Sequence, residues 1–309
     1  MGLLLGMIPS MVNGMVLRKM VTTGATLALL LTSSSAAQAA PKPHIVSSVS
    51  EWGYLAREVV GTQATVQSLL TDPNADPHQH EASLSNATAV SQARVVLVNG
   101  AGYDSWMTRL LANQHSSTAV INVATLMKTP SGANPHLFFN LAAAQVVVKK
   151  LENLHNQKGF SSLGANFATN AKKTSIALLN MTTSLKTVAA SCAGVKVAAT
   201  EDIAGYLLSV AKLNVVTPKG LRLAIGNGVD PSVSDLATAL KQLTQHPAFL
   251  IYNSQTVTPL TSQLLAQATA YQVPIIKIPE VETHGPYTSF VSGIISQMKR
   301  ALIKDGCLK

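Results

Sequence analysis

The sequence predicts an α/β protein of two lobes, each a roughly four-stranded parallel sheet flanked by helices, bridged by one long helix. Three observations predict it. Short β-rich apolar runs alternate with segments of helical periodicity. The alternation breaks once, where the chain is helix-forming from Leu141 to about Ala190, and it then resumes. Such alternation makes a parallel sheet with helices on both faces, because each crossover helix must lie on the sheet it returns to.

In order, the first strands are expected at "HIVSSV" (44–49), "TVQSLL" (65–70), "RVVLVNG" (94–100) and "TAVINV" (118–123). Between them, "EWGYLAREVVG" (51–61) and "SLSNATAVSQA" (83–93) carry apolar residues at helical spacing. The helical region is split by a Gly-containing interruption near "QKGFSSLG" (157–164). Its second piece, 165–191, is long and amphipathic, with Phe167, Ile176, Leu179, Met181 and Leu185 among its apolar positions. Thr and Asn lower its intrinsic propensity, so packing must hold it. Strands resume at "VKVAAT" (195–200), "LNVVT" (213–217), "AFLIYN" (248–253) and "PIIKIP" (274–279), with helices expected at 202–212, 232–245, 257–272 and 287–302. The expected domains are therefore an N-terminal lobe at 41–142, a helical region at 143–190 with the bridge at about 164–190, and a C-terminal lobe at 191–309.

Residues 1–40 read as a signal peptide: the basic pair Arg18–Lys19, an apolar run to Leu31, and a small-residue end, "AQAA", with cleavage near Ala39 or Ala40. The residues before Met15 are long for an n-region, so Met15 is an alternative start. No cysteine stands at the cleavage site, and an unanchored periplasmic protein is expected. Removing those two cations takes the formal net charge from +9 to +7, spread along the chain without Lys/Arg blocks. That describes solubility, not a nucleic-acid footprint. Cys192 and Cys307 lack CxxC spacing, which argues against a thiolate metal site; in an oxidising compartment they are able to pair, but sequence does not fix their distance.

In open parallel sheets, ligands bind beyond the carboxyl ends of the strands. Four polar clusters fall there, two per lobe: His78 and His80 in "ADPHQHEAS", His136 in "NPHLFF", Glu201 and Asp202 in "TEDIAGY", and Glu280, Glu282 and His284 in "PEVETHGPY". Two imidazoles and two carboxylates would make a mixed N/O site suited to Mn²⁺, Fe²⁺ or Zn²⁺. Each cluster has an ordinary alternative. HxH is commoner as a surface loop, His136 beside Pro135 suits loop packing, Glu201 and Asp202 suit a helix N-terminus, and Glu282 and His284 suit a solvated turn. His44, His115, His155 and His246 lack carboxylate neighbours and are left as structural or exposed.

Taken in order, these segments resemble the metal-binding substrate-binding proteins of ABC transporters, of the zinc/manganese cluster. "ADPHQHEAS" resembles the family's "ADPHxYEPS" loop, and "VLVNGAGYDSWM" the segment after it. "NPHLFFN" resembles its second-histidine motif, "ATEDIAGYL" the segment of its third ligand, "VDPSVSDL" its "EPSxxDL" element, and "VETHGPYTSFV" the segment of its fourth ligand. The resemblance covers essentially the whole chain after residue 40. It implies two α/β lobes bridged by a rigid helix, no enzymatic activity, and one divalent ion (Mn²⁺ or Zn²⁺, with Fe²⁺ a third candidate) held by His78, His136, Glu201 and Glu282. His80 replaces the usual aromatic residue and is a spare ligand; Glu280 competes with Glu282. The family's Asp after the second histidine is Asn140 here, which alters the support expected for His136. The family's zinc specialists often carry a His-rich loop that this chain lacks, which favours Mn²⁺, while the general affinity order of N/O sites favours Zn²⁺. The implied partners are a membrane permease and its cytoplasmic ATPase, with the binding protein a monomer.

Two other classes share some of these features. HxH after an early strand also opens metal-dependent hydrolases, but those barrels need eight unbroken strand–helix units. Binding of another solute, such as a sugar, would call for stacking aromatics, and only 5% of residues are aromatic.

Overall fold

The β-branched runs become strands. β1 (His44–Val49), β2 (Thr65–Leu70), β3 (Val95–Val98) and β4 (Ala119–Asn122) form one all-parallel sheet in the order β2-β1-β3-β4. β5 (Lys196–Ala199), β6 (Asn214–Val215), β7 (Leu250–Asn253) and β8 (Ile275–Ile278) form a second in the matching order β6-β5-β7-β8. These elements come from a computed structural model, which describes residues 42–75, 80–112, 117–156, 160 and 165–309. All of them lie in the unit Ala40–Lys309; the expected signal peptide lies outside the described residues.

Burial follows strand position. β3 and β7, each flanked on both sides, are buried at every residue, whereas the edge strands β2 and β6 are partly exposed. Strands covered on both faces read as continuous Val/Ile/Leu runs, which is why "VVLV" and "LIYN" carry no alternation.

The helices are α1 (Ser50–Val60), α2 (Leu84–Ser91), α3 (Trp106–Leu111), α4 (Val123–Met127), α5 (Leu141–Asn153), α6 (Ala165–Cys192), α7 (Gly205–Val210), α8 (Lys219–Gly226), α9 (Val233–Leu243), α10 (Pro259–Ala270) and α11 (Tyr287–Lys304). α3, α4 and α8 were not expected; α4 begins at Val123, inside the run read as a strand, and α8 carries Gly220 and Gly226, which lower helix propensity. Starts are set by side chains. Ser83 and Asn86 make a capping box on α2, and Thr258 and Thr261 make one on α10, where Pro259 sits at the first position.

α6 is the bridge. Its 28 residues span about 42 Å at ~1.5 Å per residue. Phe167, Ala171, Thr174, Leu178, Met181, Leu185, Val188 and Cys192 are buried, alternating steps of four and three along one face. Ile176 and Leu179, apolar in sequence, fall off that face and are exposed. The helix contacts α1 and α5 of the first half and α7 and α11 of the second. At its end Cys192 is disulfide-bonded to Cys307, beyond α11, with a Cα–Cα distance of 5.6 Å. Among the described residues no helix is long and apolar enough to cross a membrane.

Candidate metal centre

The strand-end loops of the two sheets meet at His136, Glu201 and Glu280. One ligand atom from each lies within 4.8 Å of the others, and all three residues are buried. His136 Nε2 is 3.0 Å from Glu280 Oε1. Of the eight residues in the four strand-end clusters, the structure brings these three together among the described residues.

His136 is held by its own motif. The Asn134 Oδ1 oxygen accepts from the His136 backbone N–H at 3.0 Å and lies 2.8 Å from Nδ1. The Asn134 Nδ2 end donates to the Asp202 carbonyl at 2.7 Å, so the amide orientation is fixed at both ends. Nδ1 therefore carries hydrogen and Nε2 faces the carboxylates, the arrangement that presents a lone pair to a cation. Asn140 does not take part: it caps α5, accepting from Ala142 and Ala143 N–H. The support that the family motif would place at that position comes instead from two residues before the histidine.

The segment "VNGAGYDSW" is the scaffold beneath this loop. Asn99 Nδ2 donates to the Pro135 carbonyl at 2.8 Å, and Trp52 Nε1 donates to Asn99 Oδ1 at 3.0 Å. Asp104 accepts from the N–H groups of Asn99 and Gly100, and Tyr103 lies edge-on to the His136 ring, 5.7 Å between centroids.

On the other side, Asn253 Nδ2, at the end of β7, donates to Glu280 Oε2 at 2.9 Å, and Thr256 Oγ1 reaches Glu201 Oε1 at 3.3 Å. Gln255 Oε1 accepts from the N–H groups of Glu280 and Val281 at 2.8 and 2.7 Å. Asp202, next to Glu201, is ion-paired with Arg222 and is thereby engaged elsewhere.

Burial pushes the Glu201 carboxyl up to about 7, and the neighbouring Glu280 charge adds to it. Burial pushes Glu51, at the start of α1, up to about 8. For His136, burial favours the neutral ring, but Glu280, with Glu201 and Glu51 behind it, outweighs burial and raises the value. Several carboxylates around one imidazole in a dry setting make a locus that a divalent cation would relieve.

The other predicted residues lie as follows. Glu282 is buried but outside the group: its Oε1 accepts the His284 N–H, and its own N–H donates to Glu51 Oε1 at 2.7 Å. His284 is exposed. His80 packs edge-on to Trp106 at 4.6 Å, with its Nε2 buried and without a hydrogen-bond partner among the described residues. His78 lies outside the described residues. A cavity of about 310 Å³ adjoins the cluster, lined by Asn74, Ala75, Glu201, Gly226, Thr256 and Glu280 among others.

Sequence reasoning missed Asn134 and Glu51. Asn134 stands in the quoted "NPH", and Glu51 directly follows a strand, the same signal that singled out Glu201; it was absorbed into the helix beginning there.

Residues 45–301 match the profile of a family described as zinc-uptake complex component A, periplasmic. Over 102 residues the chain is 30% identical to the manganese-binding lipoprotein MntA of Halalkalibacterium halodurans, a match that spans 31% of this chain and only 33% of that relative. The fold is similar to that of the substrate-binding protein FpvC of Pseudomonas aeruginosa, solved in complex with Ni²⁺ (TM-score 0.66, 20% identity, 86% of this chain and 98% of that one). It is similar also to the periplasmic zinc-binding protein TroA of Treponema pallidum (TM-score 0.66, 16% identity, 84% and 99%). At these identities the two structures speak for the fold.

Proposed function

This chain belongs to the family of periplasmic zinc-uptake components whose profile it matches, and from that premise we propose that it captures one divalent transition-metal ion between its two sheets and delivers it to an ABC-transporter permease. What carries this reading is the meeting of His136, Glu201 and Glu280 within 4.8 Å, from four-stranded sheets in both halves of the chain. The ion is cargo, and the chemistry is ligand exchange. Without it, the 3.0 Å contact between His136 Nε2 and Glu280 Oε1 holds a proton between the two groups. A divalent ion replaces that proton, so uptake releases hydrogen ion and weakens as pH falls.

His78 supplies the fourth ligand in this reading, because Asn74 and Ala75, which lead to it, line the cavity beside Glu201 and Glu280. Between the two acidic candidates of the last loop, Glu280 is the ligand and Glu282 holds the loop in shape, since only Glu280 faces His136. Two neutral imidazoles and two carboxylates suit Mn²⁺, Zn²⁺ and Fe²⁺ alike, so competition between the ions decides the cargo. Export through the signal peptide at 1–40 would place the protein in the periplasm, as a monomer meeting the permease, whose cytoplasmic ATPase drives uptake. The hydrolase alternative loses its premise, because these strands build two open four-stranded sheets in place of one eight-stranded ring.

The test is metal analysis of the purified protein, with Mn²⁺ and Zn²⁺ in competition, on the wild type and His136→Ala. One ion per wild-type chain and loss of it in the variant are expected. Undiminished binding by the variant would remove this site from the account.

A further inference from the structure

One face of α1 grips the loop that carries Glu280. Glu51, Tyr54 and Glu58 are spaced three and four residues apart, on one side of the helix. Each takes a different point of the chain between 282 and 288. Glu51 Oε1 accepts the Glu282 N–H at 2.7 Å, Tyr54 Oη donates to the Thr283 carbonyl at 2.8 Å, and the Glu58 carboxylate accepts Thr288 N–H and Oγ1–H, both at 2.8 Å. The fit is close: a methyl group at Gly285 would stand 2.1 Å from Tyr54 Cδ1. None of these groups belongs to the three-residue cluster.

The loop is therefore held from both halves of the molecule. Gln255, from the second half, fixes the backbone of Glu280 and Val281; Glu51 and Tyr54, from the first half, fix the two residues after them. His136 also belongs to the first half. Glu280 thus sits 3.0 Å from His136 in a loop anchored to the half that carries His136.

We propose that Glu51 and Tyr54 are positioning residues for metal retention: by clamping residues 282 and 283 they hold Glu280 at ligand distance from His136, and loosening the clamp frees the ion without unfolding the chain. This inference rests on the metal-capture reading above. Supporting groups of this kind typically change metal affinity about 10- to 100-fold when removed.

The experiment follows Zn²⁺ release from the purified protein into an excess of chromophoric chelator by stopped flow, alongside the melting temperature of the metal-free form. The variants are Glu51→Ala, Glu51→Gln, Tyr54→Phe and His136→Ala. Glu51→Ala is expected to release Zn²⁺ at least about 10-fold faster, and Tyr54→Phe about fivefold faster, the worth of one ordinary hydrogen bond, each with one ion bound at the start and an acceleration larger than its change in metal-free stability accounts for. Glu51→Gln keeps a side-chain oxygen for the Glu282 N–H and is expected to release at nearly the wild-type rate. Unchanged release in both Glu51→Ala and Tyr54→Phe overturns the proposal. So does a rise in rate that merely tracks a loss of metal-free stability, or a Glu51→Gln rate equal to that of Glu51→Ala. His136→Ala separates the two readings: if it retains Zn²⁺, the metal-capture reading itself fails; if it loses Zn²⁺ while the clamp variants behave as wild type, only the clamp fails.

Discussion

Raising the pH should destabilise the metal-free protein and widen the stabilisation that a bound ion provides. Glu51 and Glu201 are almost fully buried, and burial lifts their carboxyls from 4.5 to about 8 and about 7. Both values lie above the unfolded one, so the fold favours the neutral acids. That contribution is fully present below about pH 4.5 and is lost as pH rises through the folded values. His136, raised above its ordinary 6.5, acts in the same direction. At ~1.4 kcal/mol per pH unit, the contributions that vanish by pH 8 are about 5 kcal/mol for Glu51 and about 3 kcal/mol for Glu201. An ion bound at the cluster needs Glu201 ionised and His136 neutral, so it relieves the Glu201 part; Glu51 is not in the cluster and its part persists. Between pH 5 and 8 the gap in melting temperature between loaded and metal-free protein should therefore widen by about 6–12 °C, taking ~2–4 °C per kcal/mol for a chain of this size. Differential scanning calorimetry with and without saturating Zn²⁺ measures it. A gap that is constant across this range, or a metal-free protein that gains stability with pH, would refute the reasoning.

Three further outcomes are expected. Asn134→Ala removes the acceptor of His136 Nδ1–H and the tie to Asp202, and should lower metal affinity about 10- to 100-fold in chelator competition while one ion still binds. Glu280→Gln should weaken binding far more than Glu282→Gln in the same titration, because only the first carboxylate faces His136; equal effects would return Glu282 to the ligand set. Cys192→Ala with Cys307→Ala opens a loop with a sequence separation of 115 and should cost about 4–5 kcal/mol of stability in denaturant unfolding, with the metal stoichiometry unchanged.

The strands and long helices were legible because their signals are local. "VVLV" and "FLIY" are β-branched or apolar throughout and each is followed by a polar residue, and 165–191 repeats its apolar positions over many turns. α4 was hidden because it starts at Val123, within the apolar run read as a strand, and α8 because Gly220 and Gly226 break its helical signature. At the centre, His136 and Glu201 could be singled out because strand ends are where open sheets collect ligands. For the last ligand the family pattern named Glu282, with Glu280 as its competitor; both follow β8 within a few residues, and their directions depend on Gln255 and Glu51, distant in sequence. The family pattern points to Asn140 for the support of His136, yet local geometry gives that side chain to the first N–H groups of α5.

If the protein delivers metal as proposed, α6 leaves little latitude for how the cargo changes hands. A rod packed along its whole length by one stripe, against helices of both halves, cannot flex without prising side chains out of two neighbourhoods at once. Large swings of one half about the other are therefore costly, so the change that loading makes falls on the strand-end loops and the contacts that clamp them. A transporter that must tell a full carrier from an empty one would read the shape of those loops, not an angle between halves.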